Sequence, residues 1–156
     1  MSEINFYTAS SALAGKNTLD VEGLELIYQL ERSGEVFYNM LAERVANEEA
    51  AALLRKNAIE ERAHSRRVAR AISIKLGREW EPTAANDEIL PIPMPDSIDA
   101  NLFLGVVQGE INGDAGYQNW ADNEEDIDVA RLLRLNGREE TIHAGRAQQV
   151  FEILSR

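Results

Sequence analysis

The chain contains no cysteine. That excludes disulfides, thiol nucleophiles, iron–sulfur clusters and Cys-based zinc sites. Basic residues are in deficit, with 16 Lys and Arg against 27 Asp and Glu and a net charge of −11. A nucleic-acid partner needs a basic surface and is therefore not expected. No apolar stretch approaches the roughly 20 residues that span a bilayer, so no membrane partner is expected either. The opening "MSEINFYTASSALAGKNTLD" has no basic n-region and no apolar run. No secretory signal is read there, and the expected location is the cytoplasm. Histidine occurs twice, as His64 and His143, and proline four times, as Pro82, Pro91, Pro93 and Pro95.

The placement of those prolines organises the chain. Residues 20–77 and about 98–155 are free of proline and rich in Ala, Leu, Glu and Arg, which are good helix formers. Residues about 78–97 read as a crossover, with "PIPMP" as a rigid extended strap rather than a ligand for a proline-binding domain. At a shift of 79 residues, the distance from Glu61 to Glu140, the chain matches itself. Gln29, Glu31, Gly34 and Tyr38 fall on Gln108, Glu110, Gly113 and Tyr117, and "LLRKN" falls on "LLRLN". Glu60, Glu61, His64 and Arg67 fall on Glu139, Glu140, His143 and Arg146. This is an internal duplication.

Each half divides into two helices, at about 20–46 and 48–76, then about 97–123 and 126–154. Asn47 and Gly77 serve as cap and stop. Short loops make each pair an antiparallel hairpin, and the crossover is long enough to run the length of a helix. The expectation is an all-α, single-domain four-helix bundle of two hairpins joined by one long crossover.

The inward stripes carry carboxylates in the middle. Ile27, Glu31, Gly34, Tyr38, Leu41 and Val45 follow a seam spacing on the first helix. Leu54, Asn57, Glu61, His64 and Val68 continue it on the second, and the duplicated half repeats the pattern around Glu110, Glu140 and His143. Four Glu and two His then meet at mid-height in the core. Burying four carboxylates costs on the order of several kcal/mol each in lost hydration, and they repel one another. Two divalent cations would cancel the charge, with neutral imidazoles completing the coordination, which is the di-metal pattern of bundles with Glu from two helices and Glu-x-x-His from two others.

Glu31…Tyr38, "EERAH", Glu110…Tyr117 and "EETIH" resemble the ferritin-like dimetal-carboxylate proteins, most closely the rubrerythrin-like and bacterioferritin-like branches. The resemblance spans about residues 20–155. It implies Glu31 and Glu110 as terminal ligands, Glu61 and Glu140 as bridges, and His64 and His143 as ligands of one metal each. It also implies hydrogen bonds from Glu139 to His64 and from Glu60 to His143, with Tyr38 and Tyr117 as donors beside the ligands. The implied cofactor is two iron ions, with manganese as the alternative. The implied activity is reduction of peroxide or O₂, with electrons from an external donor protein, in a homo-oligomer for which a dimer is favoured.

This sequence departs from typical rubrerythrins. It holds no Cys-ligated rubredoxin domain, and Val107 and Gly113 stand where an additional Glu flanks the third-helix ligand. A ferroxidase of an iron-storage cage is the alternative. Arg62 and Thr141, not Met, follow the bridging glutamates, so haem is not expected. A non-enzymatic helical protein and an oxidase or hydroxylase of an organic substrate are further readings, the last needing a pocket beside the metals. Gly34 and Gly113 read as close packing or as room for a bridging species. Glu35 and Asp114 read as extra ligands or solvated charges. Arg66, Arg67 and Arg70 read as a solvated face with local charge pairs, and Trp80 and Trp120 as packing residues.

Overall fold

A computed structural model describes residues 4–156. A 3-10 turn at Ala9–Leu13 leads into α1 (Val21–Arg44) and α2 (Glu48–Leu76). The crossover holds a short helix, α3 (Ala84–Asp87), before α4 (Leu102–Asp122) and α5 (Ile127–Leu154). No strand occurs among the described residues. The start of α1 is fixed by Asp20, whose side chain accepts from Gly23 N at 2.7 Å. Asn47 does the same for α2 at Ala50 N, 2.9 Å, and Glu48 and Glu49 complement the helix dipole in the first turn. Gly77 ends α2 in the left-handed region at φ 68°, where a Cβ would be strained.

The last hairpin starts later than the composition predicts. Its first helix opens at Leu102 rather than near 97. Asn101 is the N-cap and makes no side-chain cap bond, while Asp99 accepts from Leu102 N at 3.3 Å in the turn before it. The crossover also carries α3, which the proline count obscures. Thr83 and Asn86 cap each other there through side chain and backbone. The crossover is pinned along α1: Tyr28 Oη donates to Asp87 at 2.6 Å, Gln29 to the Glu88 carbonyl at 2.9 Å, and Leu90 N to Ser33 Oγ at 3.0 Å.

α1 packs on α2, α4 on α5, and α2 on α5. The backbones of α1 and α4 do not meet, having no Cα pair within 8 Å. Two apolar clusters fill the ends of the bundle. One gathers Leu24, Ile27, Ile72, Trp80, Tyr117 and Leu133. The other gathers Phe37, Leu41, Leu54, Phe103, Val150 and Ile153. Between them lies a buried polar layer from α1, α2 and α5.

Replacing Asn47 by Ala removes one capped N–H at α2 and should cost about 1 kcal/mol. A thermal melt of the metal-free chain should then shift down by about 2–4 °C, the scale for a domain of this size. An unchanged melting point would show that the cap is not limiting.

Candidate metal centre

Six side chains converge in the polar layer. α1 supplies Glu31, α2 supplies Glu61 and His64, α4 supplies Glu110, and α5 supplies Glu140 and His143. Ligand atoms of Glu61, His64, Glu140 and His143 all lie within 4.8 Å of one another. His64 Nδ1 lies 3.3 Å from Glu31 Oε2 and 3.1 Å from Glu140 Oε1. His143 Nδ1 lies 2.8 Å from Glu61 Oε1 and 3.7 Å from Glu110 Oε2. Both imidazoles are fully buried, and their rings stack with centroids 5.1 Å apart. His143 Nδ1 and Glu61 Oε1 are close but lack hydrogen-bond geometry, and with Glu110 Oε2 they are buried without a partner. Buried polar atoms without partners are rare in folded proteins, so these atoms call for something between them.

The far side of each ring is held across the pseudo-symmetry. His64 Nε2 faces Glu139 at 3.0 Å, and His143 Nε2 faces Glu60 at 3.1 Å. Arg67 Nη1 donates to Glu139 at 2.7 Å and to Asn136 Oδ1 at 3.2 Å. Arg146 mirrors it, donating to Glu60 at 2.7 Å and to Asn57 Oδ1 at 3.0 Å. Asn57 and Asn136 donate to the carbonyls of His143 and His64, each at 3.2 Å. Tyr38 Oη donates to Glu110 at 2.5 Å, and Tyr117 Oη donates to Glu31 at 2.6 Å. Every one of these bonds joins one half of the repeat to the other, except the weak Asn136–Tyr117 contact at 3.4 Å.

Electrostatics follows burial. Loss of hydration, reinforced by neighbouring carboxylates, pushes Glu61 and Glu140 well above the usual carboxyl range. Burial and the glutamates around them push both tyrosine hydroxyls well up, so they stay protonated donors. For Glu60 and Glu139 burial acts upward, but the Arg146 and Arg67 hydrogen bonds and charges outweigh it and hold both below the ordinary value. For His64 burial acts downward and is outweighed by Glu31 and Glu61, which raise it.

The glycines at mid-helix have a steric role. A Cβ on Gly34 would fall on Glu61 Oε2, and one on Gly113 would stand 3.1 Å from Glu140 Oε2. The missing side chains make room for the glutamates themselves. Arg67 is corrected from a solvated residue to a half-buried partner of Glu139; the signal was its match to Arg146 in the repeat. Asp114 accepts from Gln118 and Thr141, and Glu35 lies 4.0 Å from Arg32. Trp80 packs edge-on to Tyr28, while Trp120 Nε1 donates to the Lys16 carbonyl at 2.9 Å.

The rubrerythrin family model matches residues 22–91, which include Glu31, Glu61 and His64. With the buried Glu/His cluster, that settles the relationship. The chain belongs to the ferritin-like dimetal-carboxylate superfamily. No curated protein and no solved structure matches it. In this ferritin-like chain the second hairpin lies outside the matched segment and enters the site through the repeat. No helix among the described residues is long and apolar enough to cross a membrane.

The glutamate side of the ferritin-like centre is open. A cavity of about 720 Å³ separates α1 from α4, with Glu31, Glu61, Glu110 and Glu140 along its floor.

Two outcomes are expected. Gly34→Ala should displace the Glu61 carboxylate and weaken metal binding by roughly 10- to 100-fold, the scale for groups that orient ligands. The helix should not be weakened, because Ala is the better helix former. Isothermal titration with Fe(II) or Mn(II) beside circular dichroism checks both. The second outcome concerns the metal-free chain. Glu61, Glu140 and His64 have raised values when folded, so their contribution is lost as pH rises. Urea midpoints should therefore climb as pH falls from about 8 to about 5. Below the ordinary carboxyl value of 4.5 the trend should reverse as Glu60 and Glu139 protonate. A flat profile would contradict this account.

Proposed function

We propose that the chain holds two iron ions, or manganese in their place, at this cluster and reduces peroxide or O₂ with electrons from an external donor. One observation carries the reading: six ligand-type side chains converge in the core, with two carboxylate oxygens and a ring nitrogen buried and unpaired. The residues fit the group. Four carboxylates balance two divalent cations, and carboxylate and imidazole donors suit iron or manganese. Glu31 and Glu110 would hold the ions as terminal ligands, Glu61 and Glu140 as shared ligands, and His64 and His143 through Nδ1. When bound, such a pair would supply two electrons to an oxygen–oxygen bond.

The chain's own residues prepare that chemistry. Glu60 and Glu139, kept ionised by Arg146 and Arg67, accept the Nε2 proton of His143 and His64. That fixes the tautomer and leaves each Nδ1 lone pair free. Tyr38 and Tyr117 hold protons against Glu110 and Glu31, at the floor of the cavity. They restrain the terminal carboxylates and keep a proton within reach of the open side. Gly34 and Gly113 leave the space that the Glu61 and Glu140 carboxylates occupy.

A second reading is oxidation of an organic molecule at the same site. The cavity favours it, being far larger than peroxide or O₂ requires. One oxygen atom of O₂ would enter a C–H bond, and the other would leave as water with two protons and two electrons from the donor.

Elemental analysis of the isolated protein should find about two iron (or manganese) atoms per chain, as the two-metal bundle pattern requires. His64→Ala combined with His143→Ala should bring this below one while circular dichroism stays helical. Unchanged stoichiometry in the double variant would refute the ligand assignment. Anaerobic Fe(II)-loaded protein should consume about one peroxide per chain, two electrons each. Peroxide that persists would refute the reductase reading.

A further inference from the structure

The duplication supplies an internal control for the cleft between α1 and α4. Around the ligands the two halves keep the same residues. On the cleft walls they do not. Leu26, Leu30 and Phe37 of α1, of which Leu30 and Phe37 line the cavity, correspond to Gly105, Gly109 and Gly116 of α4. All three glycines line the cavity, together with Gly113, the counterpart of Gly34. A Cβ at Gly105 or Gly109 would meet nothing within 4 Å. Mid-helix glycine weakens a helix relative to Ala, and no close packing at these two positions explains it. At these three positions α4 lacks the bulk that α1 has, and the space opens onto the four glutamates.

The cleft also has a roof. Phe6 N donates to the Pro91 carbonyl at 2.9 Å and Tyr7 Oη to the Pro93 carbonyl at 2.7 Å. Further along, Lys16 accepts from Trp120. The segment between these ties, including Leu13, lines the cavity. A space of this volume lies in the ordinary range for small-molecule sites. Among the described residues, no Lys, Arg or His lines it. The floor carboxylates would repel an anion, and apolar side chains such as Ile27, Leu30, Phe37 and Val106 form much of the wall.

We infer that the α1–α4 cleft binds an uncharged, apolar organic molecule, with one end against the glutamate floor. Its place as a substrate rests on the dimetal reading; its binding does not. The ligand's reactive end would then sit beside Glu31, Glu61, Glu110 and Glu140, beneath the N-terminal segment.

The test uses the full chain, metal-free and metal-loaded, titrated with N-phenyl-1-naphthylamine, a neutral fluorophore that brightens when buried. Saturable one-to-one binding is expected, displaced by 1-decanol at least tenfold better than by decanoate. Restoring the bulk of the other half, Gly105→Leu with Gly109→Leu, should weaken probe binding at least tenfold without loss of helix. Should that variant not fold, energy transfer locates the probe. Transfer from tryptophan should fall in Trp120→Phe, which lines the cleft, and persist in Trp80→Phe, which does not. The inference is overturned by absent binding, by equal binding in the filled variant, or by a signal indifferent to Trp120→Phe. It is also overturned if sedimentation shows a wild-type dimer that the filled variant splits, because a second copy would then occupy the cleft. Failure to load two metals would instead sink the dimetal reading and leave the metal-free titration standing.

Discussion

Four carboxylates in the middle of a helical core set the terms for the rest of this molecule. Glu31, Glu61, Glu110 and Glu140 come from four helices and sit where a bundle would ordinarily place leucine. Burial and mutual repulsion hold Glu61 and Glu140 toward the neutral form in the metal-free chain. The layer is tolerable because each neighbour has a defined answer to it. Tyr117 and Tyr38 donate into Glu31 and Glu110, and two apolar clusters above and below supply the burial that the layer forgoes. The glycines behind the bridging glutamates belong to the same solution, since any side chain there would compete with a carboxylate for space.

The hydrogen bonds around the layer cross from one hairpin to the other. Arg67 to Glu139 to His64 is a chain of three residues, and Arg146 to Glu60 to His143 is its image. Each hairpin therefore holds the histidine of its partner. A single hairpin could bury neither its carboxylates nor its histidine with such partners. This reciprocity gives a physical reason for the fused repeat: the two halves are complete only together.

The repeat is strict where it faces the carboxylates and relaxed where it does not. Ligands, the tyrosines, the asparagines and the Arg–Glu pairs are kept in both copies, while on the walls of the α1–α4 cleft Leu30 and Phe37 of one copy are Gly109 and Gly116 in the other. Contact between α2 and α5 closes the histidine side of the centre, and the separation of α1 from α4 leaves the glutamate side accessible. A closed side that orients ligands and an open side that admits reactants is the division a redox centre needs.

Much of this was legible in the sequence. The proline-free halves, the repeat and the stripes around Glu31, Glu61, Glu110 and Glu140 depend on local periodicity, and periodicity survives in one dimension. The all-α bundle and the convergence of six residues follow from it. Arg67 was misread because its partner, Glu139, lies on another helix, and pattern alone does not say which edge of a stripe faces a neighbour. The start of α4 lies later than the pattern suggests because its N-cap, Asn101, makes no side-chain cap bond and Ala100 and Asn101 form a turn before it. Gly34 and Gly113 were ambiguous for the same reason, since what fills a glycine's space comes from a different helix. The sequence by itself determined which residues would meet. Only the tertiary structure decided what lies between helices that are not neighbours in the chain: the cross-hairpin bonds, and a cleft whose width is a distance between α1 and α4 that no spacing along the chain encodes.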